Sequence, residues 1–438
     1  MDREFIIGQI IREFEERTES IVRRDLQVPL DTSLRKAISI VGPRRAGKTF
    51  FLLSIYQEVR EHFPSIFLLL DDDRIYPPSL SDLNLALKVL YERFPSRERF
   101  YLFLDEIQEV VGWERFVKRV VERENCLVYL SGSSSRLLSK EIASVLRGRT
   151  LTYEIFPFSF REILRARGVE VDKYISSSVE AQISKELRFY LEYGGFPEVV
   201  LKSEKEKILR EYVHVMLYRD IIERYKLKNL SVVRMFFKMV FTGFARSFSV
   251  NRIANYMQSL GLKTSKNSLY NYLEYMNDAY IAFPVKRFSM SQRLVEQSIP
   301  KVYVVDNGLV RVFNVLTPEI MGHLLENIVF IELRKKGLRE NENIFYYKEN
   351  HKEIDFVIVD KGIVRQLIQV TYNLRYDDKK QWKREVETLA EVSKKLRCRN
   401  LLIVTWSQEG EIVVGKAKVK VLPLWKWILY HLPSIRVL

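Results

Sequence analysis

The sequence contains little cysteine and little histidine, and both scarcities exclude kinds of site. Among 438 residues there are two cysteines and five histidines. Two cysteines cannot supply a disulfide framework or a cysteine-based zinc site. We expect Cys126 and Cys398, which lie in apolar stretches, to be small buried residues. The histidines lack a metal-ligand spacing such as H-x-x-x-H, and no G-x-S-x-G hydrolase motif is present.

Long apolar runs are also missing. No run approaches the roughly 18–20 residues of a membrane span, so we expect no integral membrane protein. The first residues carry charges of both signs, which argues against a signal peptide. Ile6, Ile7, Ile10, Ile11 and Phe14 are spaced like one face of a helix, which we expect to pack on its own domain rather than on a membrane surface. With no sign of secretion, a cytoplasmic protein is the expectation.

Positive charge is concentrated in the second half of the chain. Residues 1–200 hold 30 Lys and Arg against 31 Asp and Glu, whereas residues 201–438 hold 41 against 25. The net charge of +15 therefore comes from the second half. Such a split favours contact with a polyanion, and DNA is the expected partner. The alternative is a basic surface that only keeps the protein in solution.

Short apolar runs alternate with helical patterns between residues 35 and 155. The runs are KAISIVG, SIFLLLD, FYLFLD, CLVYLSGS and TLTYEIF. This rhythm predicts an α/β domain with a parallel sheet, and the continuous apolar runs indicate strands buried on both faces. From about residue 157 to 290 the pattern is mostly helical, and strands and helices mix again from about 300 to 438.

A phosphate-binding motif follows the first apolar run. Residues 42–49 read GPRRAGKT, which fits G-x-x-x-x-G-K-[ST]. The glycines let successive backbone N–H groups point at one anion, Lys48 can reach the β- and γ-phosphates, and Thr49 can bind Mg²⁺. The phosphates would lie at the N-terminus of the helix that follows. The expected nucleotide-binding residues are Gly42, Pro43, Arg44, Arg45, Ala46, Gly47, Lys48, Thr49 and Phe50.

A second acidic anchor ends the run FYLFLD. Asp105 would hold Mg²⁺, and Glu106 would polarise the water that attacks ATP. The cofactors predicted for the chain are therefore ATP and Mg²⁺. The later run ends in LSGSSS, where Ser131 or Ser133 could reach the γ-phosphate, with Ser133 slightly preferred.

LRGRT at residues 146–150 offers two candidate catalytic arginines, Arg147 and Arg149. An Arg near a γ-phosphate stabilises transition-state charge, from the same chain or from a neighbouring subunit. Either residue could instead be an ordinary surface Arg. A finger that acts in trans requires self-association, so a homo-oligomer is expected.

Taken together, GPRRAGKT, LDEIQEVVGWE, YLSGSSSRLL and LRGR followed by FPFSFREIL resemble a prokaryotic, archaeal-type family of AAA-superfamily ATPases. GGFPEVV, PKVYVVDNGL and ENIVFIELRKKG are similar too. The resemblance implies a P-loop ATPase domain at residues 1–160, a helical and winged helix-turn-helix domain at 161–300, and a degenerate restriction-endonuclease-like domain at 301–438. A strand between the loop and Asp105, with Glu106 beside that Asp, is similar to the ASCE division of P-loop ATPases.

The middle region contains a pattern typical of a DNA reader. In residues 248–288, Ile253, Tyr256 and Leu260 form one helical stripe, and Leu269, Leu273 and Met276 form another. Gly261 would end the first helix and Ser265 would start the second. Two helices, a tight turn and a strand indicate a winged helix-turn-helix, unless the module serves only packing or oligomerisation. The second helix would expose the candidate DNA contacts Lys266, Asn267, Tyr270 and Asn271.

The C-terminal order of elements resembles a PD-(D/E)xK nuclease core. Such nucleases need an acid on the first helix, an Asp on a strand and E-x-K on the next strand, which together bind Mg²⁺ and activate water. Here Glu326 (or Glu332) and Asp355 fit, but Gln369-Val370-Thr371 replaces E-x-K. Cleavage would need a lysine brought back from the following helix, for which Lys379, Lys380 and Lys383 are candidates. We expect a nuclease-like remnant that binds DNA or protein.

The motifs support three functions. The first is an ATPase that couples hydrolysis to DNA binding or remodelling. The second is a nucleotide-gated regulatory protein with little turnover, and the third is an ATP-dependent nuclease, which Gln369 and Thr371 disfavour. Lys48 and Glu106 favour hydrolysis over binding alone.

Overall fold

The chain divides after Phe156 into two units. The computed structural model describes residues 2–17, 21–30, 35–95, 99–132, 146, 148–172 and 174–433. The units are Met1–Phe156 and Pro157–Leu438. Within the described residues, no helix is long and apolar enough to cross a membrane. Cys126 and Cys398 are both buried thiols, as expected.

The first unit is built on a five-stranded sheet in which every strand is parallel to its neighbour. Its strands are β1 (Ala37–Val41), β2 (Ser65–Leu69), β3 (Phe100–Asp105), β4 (Cys126–Ser131) and β5 (Thr150–Glu154). The order across the sheet is β2-β3-β4-β1-β5. This confirms the predicted parallel α/β domain. β1, β3 and β4 are buried at every position, because helices cover a sheet of this kind on both faces.

In the described residues of this unit, four helices accompany the sheet. They are α1 (Arg3–Glu16), α2 (Lys48–Arg60), α3 (Leu80–Arg93) and α4 (Trp113–Arg123), with short 3₁₀ turns at Asp73–Ile75 and Ile107–Glu109. As predicted, α1 packs on its own unit. Its buried residues include Ile7, Ile10 and Phe14, and the Phe14 ring stacks on Phe67 of β2 at 4.6 Å between centroids.

The second unit begins with helices. They are α5 (Phe160–Ala166), α6 (Ser177–Tyr193), α7 (Pro197–Leu201), α8 (Lys205–Val215), a π-helical turn (Met216–Glu223) and α9 (Leu230–Thr242). Aromatic residues fill the spaces between them: Phe196 packs edge-on to Tyr212, and Phe160 stacks on Tyr190.

A small three-stranded antiparallel sheet follows, in the order β6-β8-β7. The elements are β6 (Arg246–Ser247), α10 (Val250–Ser259), α11 (Lys266–Asp278), β7 (Ala282–Val285), α12 (Gln292–Glu296) and β8 (Lys301–Val304). As predicted, Ser265 caps the second helix, accepting a hydrogen bond from the Ser268 N–H at 3.0 Å.

The two predicted stripes of this region differ in outcome. Leu269, Leu273 and Met276 are buried, as expected. Of the first stripe only Ile253 is buried, because α10 turns Val250, Ala254 and Met257 to the core and leaves Tyr256 and Leu260 about half exposed.

The chain ends in a mixed six-stranded sheet of order β13-β14-β12-β11-β10-β9. Its strands are β9 (Ile344–Glu349), β10 (Lys352–Asp360), β11 (Ile363–Val370), β12 (Leu401–Thr405), β13 (Gly410–Val414) and β14 (Ala417–Pro423). The helices are α13 (Asn307–Phe313), α14 (Pro318–Lys335), α15 (Lys379–Trp382), α16 (Thr388–Leu396) and α17 (Leu424–Lys426), with π-helical turns at Lys383–Glu387 and Trp427–His431. α14 packs on β8 and β11, and α16 packs on the sheet at β10, β11, β12 and β14.

A buried carboxylate explains the glycines of GGFP and DNGL. Asp306 accepts hydrogen bonds from the N–H of Gly195 at 2.7 Å and of Gly308 at 2.8 Å. A Cβ on Gly194, whose φ is +73°, would lie 1.7 Å from the Asp306 carboxylate. Burial raises the pKa of Asp306 to about 7, against the two backbone donors and Lys335. The GGFP and DNGL segments therefore pack against each other in the core, and their glycines leave room for the Asp306 carboxylate.

Candidate nucleotide site and carboxylate cluster

The predicted phosphate loop connects β1 to α2. Its first glycine is required by space, because a Cβ on Gly42 would lie 2.0 Å from the backbone oxygen of Ile155. Arg45 and Gly47 both have a positive φ, at +65° and +90°. The loop thus alternates its backbone direction, as a nest of N–H groups around an anion requires.

The N-terminus of α2 has the features of an anion-binding site. Gly47 is its N-cap, and in the part of the chain that the structure describes no side chain caps this helix start. The first backbone N–H groups of a helix lack internal partners and carry partial positive charge. A phosphate group is therefore a fitting partner for them.

Lys48 is buried within the loop. Its ammonium donates to the carbonyl oxygens of Gly42 at 3.2 Å and Pro43 at 3.0 Å. Ala46, also buried, has its carbonyl held by Arg24 at 3.0 Å, while Phe50 on the first turn of α2 is half exposed. The loop is thus folded around its own lysine.

Asp105 ends β3 at the same sheet edge and is buried. Its Oδ1 accepts a hydrogen bond from the hydroxyl of Ser131 at the end of β4. Its Oδ2 has no hydrogen-bond partner among the described residues. Burial, with the charge of Glu106, raises the pKa of Asp105 to about 7, while hydrogen bonding by Thr49 and the charge of Lys48 act in the opposite direction. The Asp105 carboxylate therefore has too few hydrogen-bond donors and positive charges around it to stabilise its ionised form.

The surroundings of Asp105 fit a magnesium ion. A buried carboxylate oxygen without a donor, close to the Thr49 hydroxyl, offers the oxygen ligands that Mg²⁺ prefers. Mg²⁺ commonly takes few protein ligands and completes its shell with water and substrate phosphates. Asp105 and Thr49 are the residues that would hold it.

Glu106 follows Asp105 in an unusual backbone conformation. Its φ is +53°, and it is only half buried. Its carboxylate accepts a hydrogen bond from the side chain of Gln108. The turn places adjacent acids in different surroundings, one buried in the sheet edge and the other open to solvent.

Of the predicted arginines and serines near the γ-phosphate, the structure describes Arg149 and Ser131. Arg149 immediately precedes β5, and its carbonyl accepts the N–H of Ala37 at the start of β1, so it lies at the amino edge of the sheet, opposite the loop. There it forms a 2.6 Å ion pair with Glu122 of α4. A role for Arg149 toward a phosphate bound in its own chain is therefore wrong. Arg147 and Ser133 lie outside the described residues, and Ser131 is a partner of Asp105.

The candidate DNA contacts share one exposed surface. Lys266, Asn267, Tyr270 and Asn271 are all exposed along α11, with Tyr270 at 50%. Glu274, one turn further, is also exposed. The first two turns are therefore the part of α11 suited to a polyanion.

In the second unit, the residues predicted as a nuclease remnant do come together, around a lysine that the sequence analysis did not consider. The ammonium of Lys301 lies 2.8 Å from Glu353, 2.9 Å from Asp355 and 3.1 Å from Glu326. Tyr303 donates its hydroxyl to the same Glu326 oxygen at 2.6 Å. We call Lys301, Glu326, Glu353 and Asp355 the carboxylate cluster.

Gln369 closes one side of this cluster. Its Oε1 accepts the N–H of Asp355 at 3.3 Å, and its Nε2 donates to Glu385 at 2.6 Å. The second oxygen of Asp355 accepts the N–H of Val370 at 2.9 Å. The Gln369 amide oxygen, the atom that could replace a carboxylate oxygen at a metal, thus already accepts a backbone N–H.

The candidate replacement lysines on the following helix do not enter the cluster. Thr371 accepts a hydrogen bond from Gln381 at 3.2 Å, away from the cluster. Glu332, the alternative helix acid, bonds instead to the hydroxyl of Tyr190 at 2.6 Å. The candidate lysines are exposed on the surface: Lys379, Lys380 and Lys383.

A resident metal ion does not fit this arrangement. Both oxygens of Asp355 and the Gln369 oxygen have donors, and an ammonium occupies the centre. Over the described ranges, no group of three or more His, Cys, Asp and Glu side chains is arranged to hold a metal. The metal chemistry of a nuclease therefore has no support in these residues.

Sequence reasoning missed Lys301, Tyr303 and Glu385. A usable signal existed: Lys301 and Tyr303 are two apart on a strand and share a face, as do Glu353 and Asp355. Polar residues repeating on one face of apolar strands indicate a buried polar contact, although they do not identify its partners.

Comparison with protein-family models agrees with the first unit. Residues 34–164 match a model described as an AAA domain. Residues 184–319 and 321–427 match two domains of unknown function, DUF8612 and DUF4143. Fold, loop and match together define the N-terminal unit as an AAA-type P-loop domain, which supports ATP binding and hydrolysis.

Two relatives extend over most of the chain. Uncharacterized protein MJ1544 of Methanocaldococcus jannaschii is 35% identical over 98% of this chain and 97% of its own length. An uncharacterized protein of Haemophilus influenzae is 30% identical over 75% of this chain and 80% of its own length. The chain belongs to the family of these proteins.

Solved structures resemble the chain only distantly. The Orc1 protein of Aeropyrum pernix in complex with DNA is 13% identical, covers 70% of this chain and 90% of its own, and has a TM-score of 0.28. AMPPCP-bound DnaA from Aquifex aeolicus is also 13% identical, covers 56% and 83%, and has a TM-score of 0.25. Similarity this low does not assign a function to the chain.

Proposed function

We propose that the protein is a Mg²⁺-dependent ATPase that couples ATP hydrolysis to DNA binding through its basic second half. The observation that carries the ATPase part is the convergence of three features at one sheet edge. They are the loop at residues 42–49, the unpartnered oxygen of Asp105 and the half-buried Glu106.

Each side chain has a role in this proposal. Lys48 leaves the carbonyls of Gly42 and Pro43 and binds the β- and γ-phosphates, while the first N–H groups of α2 hold the phosphate oxygens. Asp105 and Thr49 hold Mg²⁺, which when bound neutralises charge on the phosphates. Ser131 orients Asp105.

Glu106 orients the attacking water and accepts its proton. Its half-exposed position leaves it open to a water molecule, and Gln108 holds its carboxylate in place. Its presence favours turnover over a nucleotide-gated protein that binds ATP without hydrolysis.

DNA binding rests on charge and exposure. Residues 201–290 hold 16 basic and 7 acidic residues. Helices α10 and α11 and strand β7 follow one another along the chain, which is the order helix, helix, strand expected of a winged helix. Helix α11 exposes Lys266 and Asn267 on its first turn. Homo-oligomerisation, with Arg147 or Arg149 acting on a neighbour's nucleotide, belongs to the same proposal.

Steady-state ATP hydrolysis tests the proposal. Rates are measured with Mg²⁺, with and without duplex DNA, at two salt concentrations, and with Lys48→Ala as the control. We expect hydrolysis that Lys48→Ala abolishes and that DNA stimulates less at the higher salt. Hydrolysis that ignores DNA would refute the coupling, and tight ATP binding without turnover would favour the nucleotide-gated protein. Gel filtration of a Glu106→Gln variant with ATP tests the oligomer.

A further inference from the structure

We propose that the ammonium group of Lys301 is the resident cation of the carboxylate cluster, where it excludes a divalent metal ion. An ammonium has three N–H donors and no acceptor. Lys301 has three carboxylate groups around it, those of Glu326, Glu353 and Asp355, at 2.8–3.1 Å. Each of the three donors therefore has one carboxylate partner. The charge that one ammonium leaves unbalanced is relieved at Glu326, whose pKa burial and the charge of Asp355 raise, so that this carboxyl group favours a proton.

The backbone fixes the lysine in this place. Lys301 lies in β8, the central strand of the small sheet, and pairs with Ser247 of β6 and Val285 of β7. Burial acts to lower the pKa of Lys301, but the charges of Asp355 and Glu326 outweigh it and raise the pKa well above its usual value. The group is therefore both charged and anchored.

Three of the four members of the cluster are also closed to substrate, whereas the side chain of the fourth, Glu353, is 32% exposed at its margin. Lys301, Glu326 and Asp355 are only 3%, 6% and 6% exposed. A phosphodiester cannot reach them without separating β8 from α14 and β10. We infer that this cluster joins the small sheet to the C-terminal sheet and does not cleave DNA. The inference concerns the second unit alone and stands whether or not the first unit hydrolyses ATP.

Mn²⁺ binding by the full-length, nucleotide-free protein tests the proposal. Binding is followed by isothermal titration calorimetry and by the paramagnetic resonance of free Mn²⁺. An Asp105→Asn variant identifies any Mn²⁺ held at the nucleotide site. We expect no Mn²⁺ at the cluster in the wild type, and one Mn²⁺ per chain in Lys301→Ala, which leaves three carboxylates without their cation.

Matched variants sharpen this result. Lys301→Arg keeps a cation in the cluster, so it should bind no Mn²⁺ there. Glu326→Gln combined with Lys301→Ala removes a ligand, so the acquired Mn²⁺ should weaken at least tenfold. A folded Lys301→Ala protein that takes up no Mn²⁺ would overturn the proposal.

The wild type gives an independent test if Lys301→Ala does not fold. Stoichiometric Mn²⁺ binding that survives Asp105→Asn but is lost in Glu326→Gln would show a metal in the cluster and overturn the proposal. Cleavage of duplex DNA by the wild type with Mn²⁺, lost in Lys301→Arg, would likewise overturn it. Absence of both supports the lysine as resident cation.

Discussion

The nucleotide site and the carboxylate cluster contain the same two kinds of group in opposite arrangements. At the nucleotide site Lys48 donates to neutral carbonyl oxygens, and the buried Asp105 keeps one oxygen without a partner. In the cluster Lys301 donates to carboxylates, and both oxygens of Asp355 have donors.

The nucleotide site therefore has a carboxylate oxygen that a ligand can contact, whereas the oxygens of Asp355 in the carboxylate cluster already have hydrogen-bond donors from the protein. A buried charge without a partner is costly, so a protein retains one where a ligand supplies the missing partner. A charge matched by its own chain stabilises a contact and leaves nothing for a ligand to add. A lysine beside an aspartate is thus not a functional signal until its acceptors are known.

The largest expected effect is on ATP hydrolysis at the nucleotide site. Glu106→Gln should lower kcat for ATP hydrolysis roughly 10²- to 10⁴-fold, because it removes the group that accepts the proton from water. Nucleotide affinity, measured by equilibrium binding, should be retained. The neighbouring Glu109→Gln is the matched control and should change the rate by less than about twofold; an equal loss there would mean that general negative charge is what matters.

The same substitution at the two buried aspartates should affect stability differently. Asp355→Asn removes one partner of a buried ion pair and should cost about 3 kcal/mol of unfolding free energy. Asp105→Asn should cost less than about 1 kcal/mol, or stabilise, because burial already disfavours its charged form. Denaturant unfolding of the nucleotide-free protein measures both, and equal losses would remove the distinction drawn above.

A third buried carboxylate, that of Asp306, accepts its hydrogen bonds from backbone N–H groups, so its replacement measures how much these bonds stabilise the fold. Asp306→Asn turns an NH₂ group toward Gly195 or Gly308 and should cost about 1–3 kcal/mol. The native pKa of Asp306, about 7, is raised from 3.8. A raised native pKa means that the native state binds more protons, so this contribution to stability is lost as pH rises toward 7, by at most about 1.4 kcal/mol per unit. Unfolding measured from pH 4 to 8 should show a flatter profile in the variant than in the wild type.

The smallest effect concerns the exposed helix. Lys266→Ala should weaken DNA binding only several-fold and reduce the slope of log affinity against log salt by about one. Lys418→Ala removes one exposed charge from β14 and serves as the control. Fluorescence anisotropy with a labelled duplex at several salt concentrations gives both slopes, and indistinguishable slopes for the two variants would remove α11 from the DNA surface.

Much of the first unit could be predicted because its signals are local. Each strand is one apolar run, and the loop at residues 42–49 joins a strand and a helix that are contiguous with it. The pairing of Ser131 with Asp105 was harder to predict, since 26 residues separate them and strand order decides which chain ends meet. The five-stranded parallel sheet was nonetheless predicted correctly.

The carboxylate cluster could be predicted only in part. Glu326, Asp355 and Gln369 were found because their order along the chain matches a known pattern. Lys301 was missed because its contacts reach 25 and 54 residues along the chain, and a lysine at a strand start is usually solvated. The prediction of the first stripe was wrong for a different reason. Tyr256 has helical spacing but is about half exposed, and the equally exposed Leu260 comes after the last residue of α10.

The position of β8 limits how this protein can be divided. Lys301 begins the strand, and the boundary expected from sequence fell just before it. A chain cut there would leave β6 and β7 without the strand that lies between them, and would give the other fragment an orphaned strand. Domain exchange among relatives, or the design of a fusion protein, should therefore keep Pro157–Leu438 together, with the junction near Phe156.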